Sequence, residues 1–485
     1  MKGFVSKLVV AGLIGVIVAV GCGAENWRSF FSRGVELHKK GQIAEAIEQF
    51  ELSAQANTTD SRPPAWIGYL YLQQGESAEA IPYLEKAAGL EPKQAGVYVN
   101  LGTARLNVGE TQRAVEAFLE AVKMAPDLAP GWYNLGTAYM RQGKYGDACA
   151  ALKKAVLLNP TDAQAYNNLG LCYRRLGQDA EAGDAFAQAT KLDLKNPAYL
   201  LNLALVQKSA GKLPDARANL DKAAALAPED YSIRLAMGDV AVAKGDTNEA
   251  VKQYSEAARL RPNEFGPAYN VGVLLAEKGD HAGAVGWFQK ALAAKPDDAG
   301  ALAQLGWAFY QTGRKAEALE TLRKAVSLSG EATDAAVTRS RLAKVLADEG
   351  KVDESLEQWR TVARLDPKSV VARVSIGNLC LQKGEAEKAA EAYRGALAIN
   401  SNSAEALTGL GVALESLGKT DEAIAQHRKA IAADPKLAAA YNNLGAALEH
   451  KGRVQEAIAQ YKKALELDPS NQDAKKNLER FPNVK

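Results

Sequence analysis

One column of glycines constrains this chain more than any other feature. Gly41, Gly75, Gly109, Gly143, Gly177, Gly211, Gly245, Gly279 and Gly313 each stand 34 residues from the next. Gly350 follows after 37 residues, and Gly384, Gly418 and Gly452 resume the 34-residue step. A fixed period of this size is the mark of one unit used repeatedly rather than of several independent cores. Length alone, 485 residues at about 100–200 per domain, would suggest three globular domains, and the period overrides that expectation.

Further columns share the period. With the glycine as position 15 of each unit, position 8 is also usually glycine, as at Gly34, Gly68, Gly102, Gly136, Gly170 and Gly445. Position 20 is nearly always alanine (Ala46, Ala80, Ala114, Ala148, Ala457) and position 24 is large (Phe50, Leu84, Phe118, Phe186, Phe288, Trp359, Tyr461). Position 32 is often proline, as at Pro92, Pro126, Pro160 and Pro469. Each half-unit carries apolar residues at helical spacing. Glycine at position 15 suits a left-handed turn between two helices, small residues at positions 8 and 20 let those helices approach, and proline ends the second. One such hairpin cannot bury its own apolar face, so neighbours must stack.

The clearest unit reads Trp132-Tyr133-Asn134-Leu135-Gly136, then Tyr139, Ala148, Leu152 and Pro160. It resembles the tetratricopeptide repeat family, and the resemblance covers residues 27 to about 471. It implies an all-α, right-handed α-solenoid superhelix of about 13 helix-turn-helix units plus a C-terminal capping helix, with each first helix lining the concave face. Residues 27–332 hold units one to nine, 333–335 an insertion or flexure, 336–471 units ten to thirteen, and 472–485 the cap, with Leu478 and Phe481 as its large apolar residues.

The first residues read as an address. Lys2 and Lys7 precede an uncharged run of 14 residues, Leu8 to Gly21, short of the ~20 that cross a bilayer as a helix. The run ends Val18-Ala19-Val20-Gly21-Cys22, which resembles a bacterial lipobox, although Ala19 and Val20 depart from the usual leucine and alanine or serine. The resemblance implies loss of residues 1–21 as a signal peptide, acylation (palmitate) of Cys22, and a short tether over 22–26. Ordinary cleavage near Ala24, giving a soluble secreted or periplasmic protein, is the alternative. Gly23 in place of aspartate points to the outer membrane by the rule for enteric lipoproteins, hence to a lipid-anchored protein on its periplasmic face.

Removing Lys2 and Lys7 leaves 59 − 2 = 57 basic residues against 57 acidic ones. That balance offers no polybasic route to nucleic acid or to a membrane, so the membrane contact expected is the anchor at Cys22 alone.

Catalytic constellations are not found. Gly418-Lys419-Thr420 has Ala413 where a phosphate-binding loop needs glycine, and belongs to the turn column. His38, His281, His427 and His450 sit in different units without an HExxH pair. Cys149, Cys172 and Cys380 stand in hydrophobic columns, and a disulfide between Cys149 and Cys172, on helices expected to touch, stays open. The reading is therefore a non-enzyme with no metal, cofactor or small-molecule substrate.

Position 6 offers a binding site. It reads Asn100, Asn134, Asn168 and Asn202 in four consecutive units, then Asn270 and Gln304 after one gap. In tetratricopeptide arrays similar to this one the position faces the groove, where a carboxamide ladder holds an extended peptide. A carboxamide both donates and accepts, as a peptide bond requires. Tyr133, Tyr269, Trp307 and Tyr310 are expected beside it as aromatic anchors. The family's carboxylate clamp needs lysine at position 5, which reads Phe31, Ala65, Val99, Tyr133 and Asn167. The resemblance thus implies a membrane-anchored protein-binding scaffold for assembly of an envelope complex (pilus, secretion, polysaccharide export or motility). Its partners are extended or disordered protein segments. The alternative is a non-catalytic accessory subunit that presents substrates to a separate enzyme such as a glycosyltransferase.

Overall fold

The structure, a computed structural model, describes residues 26–330 and 335–481. The signal segment, Cys22 and most of the tether lie outside these residues. Among the described residues the protein is all-α, with 27 helices, 26 of them paired as antiparallel hairpins and the last standing alone. Each hairpin is one unit of the sequence period. The clearest unit, for example, pairs Ala129–Arg141 with Tyr145–Leu158.

The turn glycines are where the chain needs them. All thirteen have φ between 73° and 87°, the left-handed region that costs a side-chain-bearing residue energy. In the second repeat the Gly75 amide donates to the Leu72 carbonyl at 3.1 Å and the Glu76 amide to Tyr71 at 2.9 Å. These bonds satisfy carbonyls that a helix end leaves unpaired.

The position-8 glycines have a packing reason. A Cβ placed on Gly102 would lie 2.6 Å from the Phe118 ring, and one on Gly34 would lie 2.8 Å from Phe50. The large residue of the second helix therefore lies on the bare backbone of the first. Phe50, Phe118, Phe186 and Phe288 are fully buried there, each worth about 1.5–3 kcal/mol of transfer free energy. Ala46, Ala80, Ala114 and Ala148, at position 20, are also fully buried and keep the two helices close.

The chain divides into two compact units, Met1–Pro228 and Glu229–Lys485. In the first, the first helices of repeats two to five touch one another in succession; in the second, those of repeats eight to ten and of eleven to thirteen do the same. The first helices therefore form a continuous lining along these stretches.

At the expected flexure, the second helix of repeat nine runs to Ser329, one residue longer than its counterparts. Gly330 follows with φ 60°, and the next helix begins at Ala335, a buried residue one position ahead of the expected 336. The core is continuous across this junction, because Leu322 of repeat nine shares a cluster with Leu342 and Leu346 of repeat ten. The terminal helix, Gln472–Glu479, lies on the last hairpin through buried Ala474, with Leu478 and Phe481 packed against Leu444, Leu448 and Tyr461.

Cys149, Cys172 and Cys380 are free, buried thiols, so the disulfide left open above is absent. Burial pushes the Cys172 thiol up to about 12, which leaves it unreactive at neutral pH. No described helix is long and apolar enough to cross a membrane, and no described cluster of His, Cys, Asp or Glu could hold a metal ion.

Candidate functional site

All ten expected groove residues lie on first helices and all are half-buried. They fall into two sets. Asn100, Tyr133, Asn134, Asn168 and Asn202 belong to the first compact unit; Tyr269, Asn270, Gln304, Trp307 and Tyr310 belong to the second. Cys22 lies outside the described residues.

The asparagines do not share one role. Asn168 Nδ2 donates to the Tyr133 hydroxyl of the preceding repeat at 3.2 Å, and Asn202 Nδ2 donates to Asn167 Oδ1 at 2.8 Å. These carboxamides join neighbouring repeats. Partial burial raises the Tyr133 hydroxyl above the usual phenol range, which keeps it protonated beside Asn168. Asn270 lies beside the Tyr254 hydroxyl, which itself donates to Asp239 at 2.8 Å. Gln304 Oε1 accepts from Arg341 Nη1 at 3.3 Å. Among the described residues, the side-chain amides of Asn100 and Asn134 make no hydrogen bond, so they remain available to a ligand.

Two pockets lie among these residues. The first, of about 390 Å³, is lined by His38, Ala65, Trp66, Tyr69, Gln94, Gly96, Val97 and Asn100. Its aromatic wall is tightly built. Trp66 stacks on Phe50 with ring centres 5.6 Å apart, and meets His38 edge-on at 5.2 Å and Tyr69 at 5.8 Å. The second, of about 330 Å³, brings Tyr269, Asn270 and Gln304 together with Tyr254, Val273, Leu274 and Glu277. Both combine apolar walls with a few carboxamides.

Trp307 and Tyr310 form a tilted pair with ring centres 5.0 Å apart. The Tyr310 hydroxyl donates to the Asp348 carboxylate, and that bond, with burial, pushes the phenol up to about 12. Tyr269 stacks on Phe265 at 5.1 Å, so it serves as a wall more than as a free anchor.

Sequence reasoning did not select His38, Trp66, Tyr69 or Arg341. Trp66 and Arg341 carried a signal, since each interrupts the position-6 column. His38 and Tyr69 carried none, because their roles arise only where repeats one and two face each other.

A stack of helical hairpins with a polar and aromatic lining is the framework of a protein-binding array. Comparisons agree. Residues 275–330, 377–418 and 408–472 match families described as tetratricopeptide repeat or TPR repeat. Residues 35–268 match the family described as the C-terminal domain of cilia and flagella-associated protein 70. The chain is a tetratricopeptide repeat protein. No curated protein matches its sequence.

Among solved structures, the APC/C hetero-tetramer Cut9–Hcn1 is 15% identical, covering 94% of this chain and 96% of that one with a TM-score of 0.39. PilF of Pseudomonas aeruginosa is 23% identical, covering 45% and 97% with a TM-score of 0.39. MamA is 28% identical, covering 33% and 95% with a TM-score of 0.32.

Proposed function

We propose that this tetratricopeptide repeat protein is a lipid-anchored, non-enzymatic scaffold whose first-helix lining binds extended segments of partner proteins. The observation that carries the binding reading is the pair of unpartnered carboxamides at Asn100 and Asn134, with Asn100 in the aromatic pocket of His38, Trp66 and Tyr69. A half-buried amide without a partner can pair with a peptide backbone whatever its side chains.

The anchor is carried by Cys22 behind its apolar leader. Four residues separate Cys22 from Trp27, so the five-residue step reaches at most about 18 Å and holds the first repeats against the membrane. The bacterial outer membrane, on its periplasmic side, is the location the Gly23 signal favours, and assembly of an envelope complex is the process that fits such an anchor.

Two experiments test the reading. Cys22→Ala should move the protein from the membrane fraction to the soluble fraction; retention in the membrane would remove the anchor. Asn100→Ala with Asn134→Ala should weaken capture of bound peptides about tenfold while leaving the thermal midpoint unchanged, since neither amide joins repeats.

A further inference from the structure

Arg341 interrupts the position-6 column in repeat ten, where most repeats carry a neutral side chain. It is half-buried between the first helices of repeats nine and ten, Ala299–Gln311 and Ala335–Asp348. Its Nη1 donates to the Ala303 carbonyl and to Gln304 Oε1, both at 3.3 Å. The guanidinium lies 5.5 Å from the centre of the Trp307 ring. One turn further on, the Lys344 ammonium lies 5.7 Å from Trp307 and 6.0 Å from Tyr310.

Neutral acceptors and aromatic faces are all that these two cations have. Among the described residues neither is paired with a carboxylate, and the nearest one on their helix, Asp348, accepts from Tyr310. Nearby cations differ. Arg314 pairs with Glu317, Lys315 with Glu349 and Arg323 with Glu354. A guanidinium drawn out of water without a counter-ion is costly, and burial lowers the Arg341 proton affinity below the usual arginine range. Two neutral acceptors and the Trp307 face offset part of that cost without supplying a counter-ion. An incoming anion would recover the rest through a charge-assisted bond to a guanidinium already oriented by the Trp307 face.

The neighbourhood narrows what the anion belongs to. Gln304, which holds Arg341, also lines the pocket of Tyr269 and Asn270, so an apolar recess adjoins the cation. Successive residues of an extended chain are about 3.3 Å apart, so one side chain can enter the recess while a near neighbour reaches Arg341. A phosphodiester strand fits poorly, because Glu277 and Asp348 stand along the same stretch.

Building on the groove reading above, we propose that Arg341, with Lys344 beside it, receives the acidic side chain of an extended partner segment, next to an apolar side chain held in the recess of Tyr269, Asn270 and Gln304.

The test uses the purified full chain in detergent and a displayed library of random 12-residue peptides. Recovered peptides, labelled with fluorescein, are titrated by anisotropy against the native protein and Arg341→Gln. Glutamine is chosen because the same column tolerates it at Gln304. The expected result is enrichment of Asp or Glu beside a large apolar residue. Arg341→Gln should weaken those peptides at least tenfold, weaken their Asp→Asn or Glu→Gln forms less than twofold, and leave the thermal midpoint equal or higher. Enriched peptides without acidic preference, or equal loss for acidic and amide forms, would overturn the proposal and leave the groove reading standing. A clearly lower midpoint for Arg341→Gln would make Arg341 a structural group and overturn it as well. Binding of a fluorescent oligothymidine that Arg341→Gln abolishes would replace the carboxylate with a nucleic-acid phosphate. Failure to enrich any peptide would overturn the groove reading and this proposal with it.

Discussion

His427 stands in the position-24 column that elsewhere carries Phe, Leu, Tyr or Trp, and it is fully buried. Where that column carries tyrosine, the hydroxyl finds a partner: Tyr254 donates to Asp239 at 2.8 Å and Tyr461 to Glu449 at 2.7 Å. Neither ring nitrogen of His427 has one among the described residues. Burial accordingly lowers its pKa from 6.5 to about 4. The sign follows from proton binding. Between pH 6.5 and 4 the unfolded chain holds a proton that the folded chain refuses, so stability falls as pH falls through that window. At pH 5 the loss is about 2 kcal/mol relative to pH 7. His427→Phe should remove that acid step and add about 1 kcal/mol or more at pH 7, by deleting two unsatisfied polar atoms. Thermal midpoints of both proteins at pH 7 and pH 5 measure it; an equal acid shift in both would refute the assignment.

Gly102 sets two effects against each other. Alanine in a helix interior gains about 1 kcal/mol over glycine, but its Cβ would lie 2.6 Å from Phe118. Overpacking of this kind costs about 1–3 kcal/mol, so Gly102→Ala should be net destabilising by about 1 kcal/mol, read from urea denaturation. Packing demands of this sort are legible in the sequence, since the column repeats as glycine with alanine only at Ala204 and Ala343. The position-6 amides are not legible in the same way. Asn168 and Asn134 hold the same repeat position and are both followed by Leu-Gly, yet Asn168 faces a tyrosine hydroxyl and Asn134 faces none, and that depends on what stands across the repeat boundary.

At the scale of elements, helix boundaries follow the columns closely because both ends of each helix have a chemical cause. Second helices end at position 30, two residues before the proline, and first helices end at the left-handed glycine. Repeat nine overruns by one residue, whereas repeats one, five and eleven, which also lack the proline, end at position 30. What the columns could not express is which hairpin faces lack a neighbour. At the C-terminus the helix Gln472–Glu479 supplies one. Asn477 Nδ2 donates to Asn442 Oδ1 at 3.0 Å and Arg480 pairs with Glu449 at 2.9 Å, while Leu478 and Phe481 cover the last hairpin. Truncation after Asn471 should cost about 2–3 kcal/mol locally and leave an apolar face open. The expected readings are a lower thermal midpoint and concentration-dependent association in sedimentation velocity. A monomer with an unchanged midpoint would show that the last hairpin is self-sufficient.

For the whole molecule, the decisive property is that contacts are local. Within each compact unit, successive described hairpins pack on one another, and among the described residues the main contacts are between neighbouring helices and neighbouring hairpins. Stability is then close to a sum of hairpin and nearest-neighbour contributions, so a part containing its own interfaces should fold alone. The second compact unit, Glu229–Lys485, meets that condition. It carries a run of core clusters from Tyr254 and Val271, through Phe288 and Leu322, to Tyr461. Expressed by itself, it should show the helical circular dichroism expected from its helices and a cooperative unfolding transition. It should also retain the acid step of His427, because that residue draws its surroundings from its own repeat, with Gly411 against the ring. A fragment that is helical but lacks the acid step, while the full chain has it, would mean that His427 is buried only in the complete array. A fragment without cooperative unfolding would mean that stability is shared over more than neighbouring repeats, and the additive description would fail.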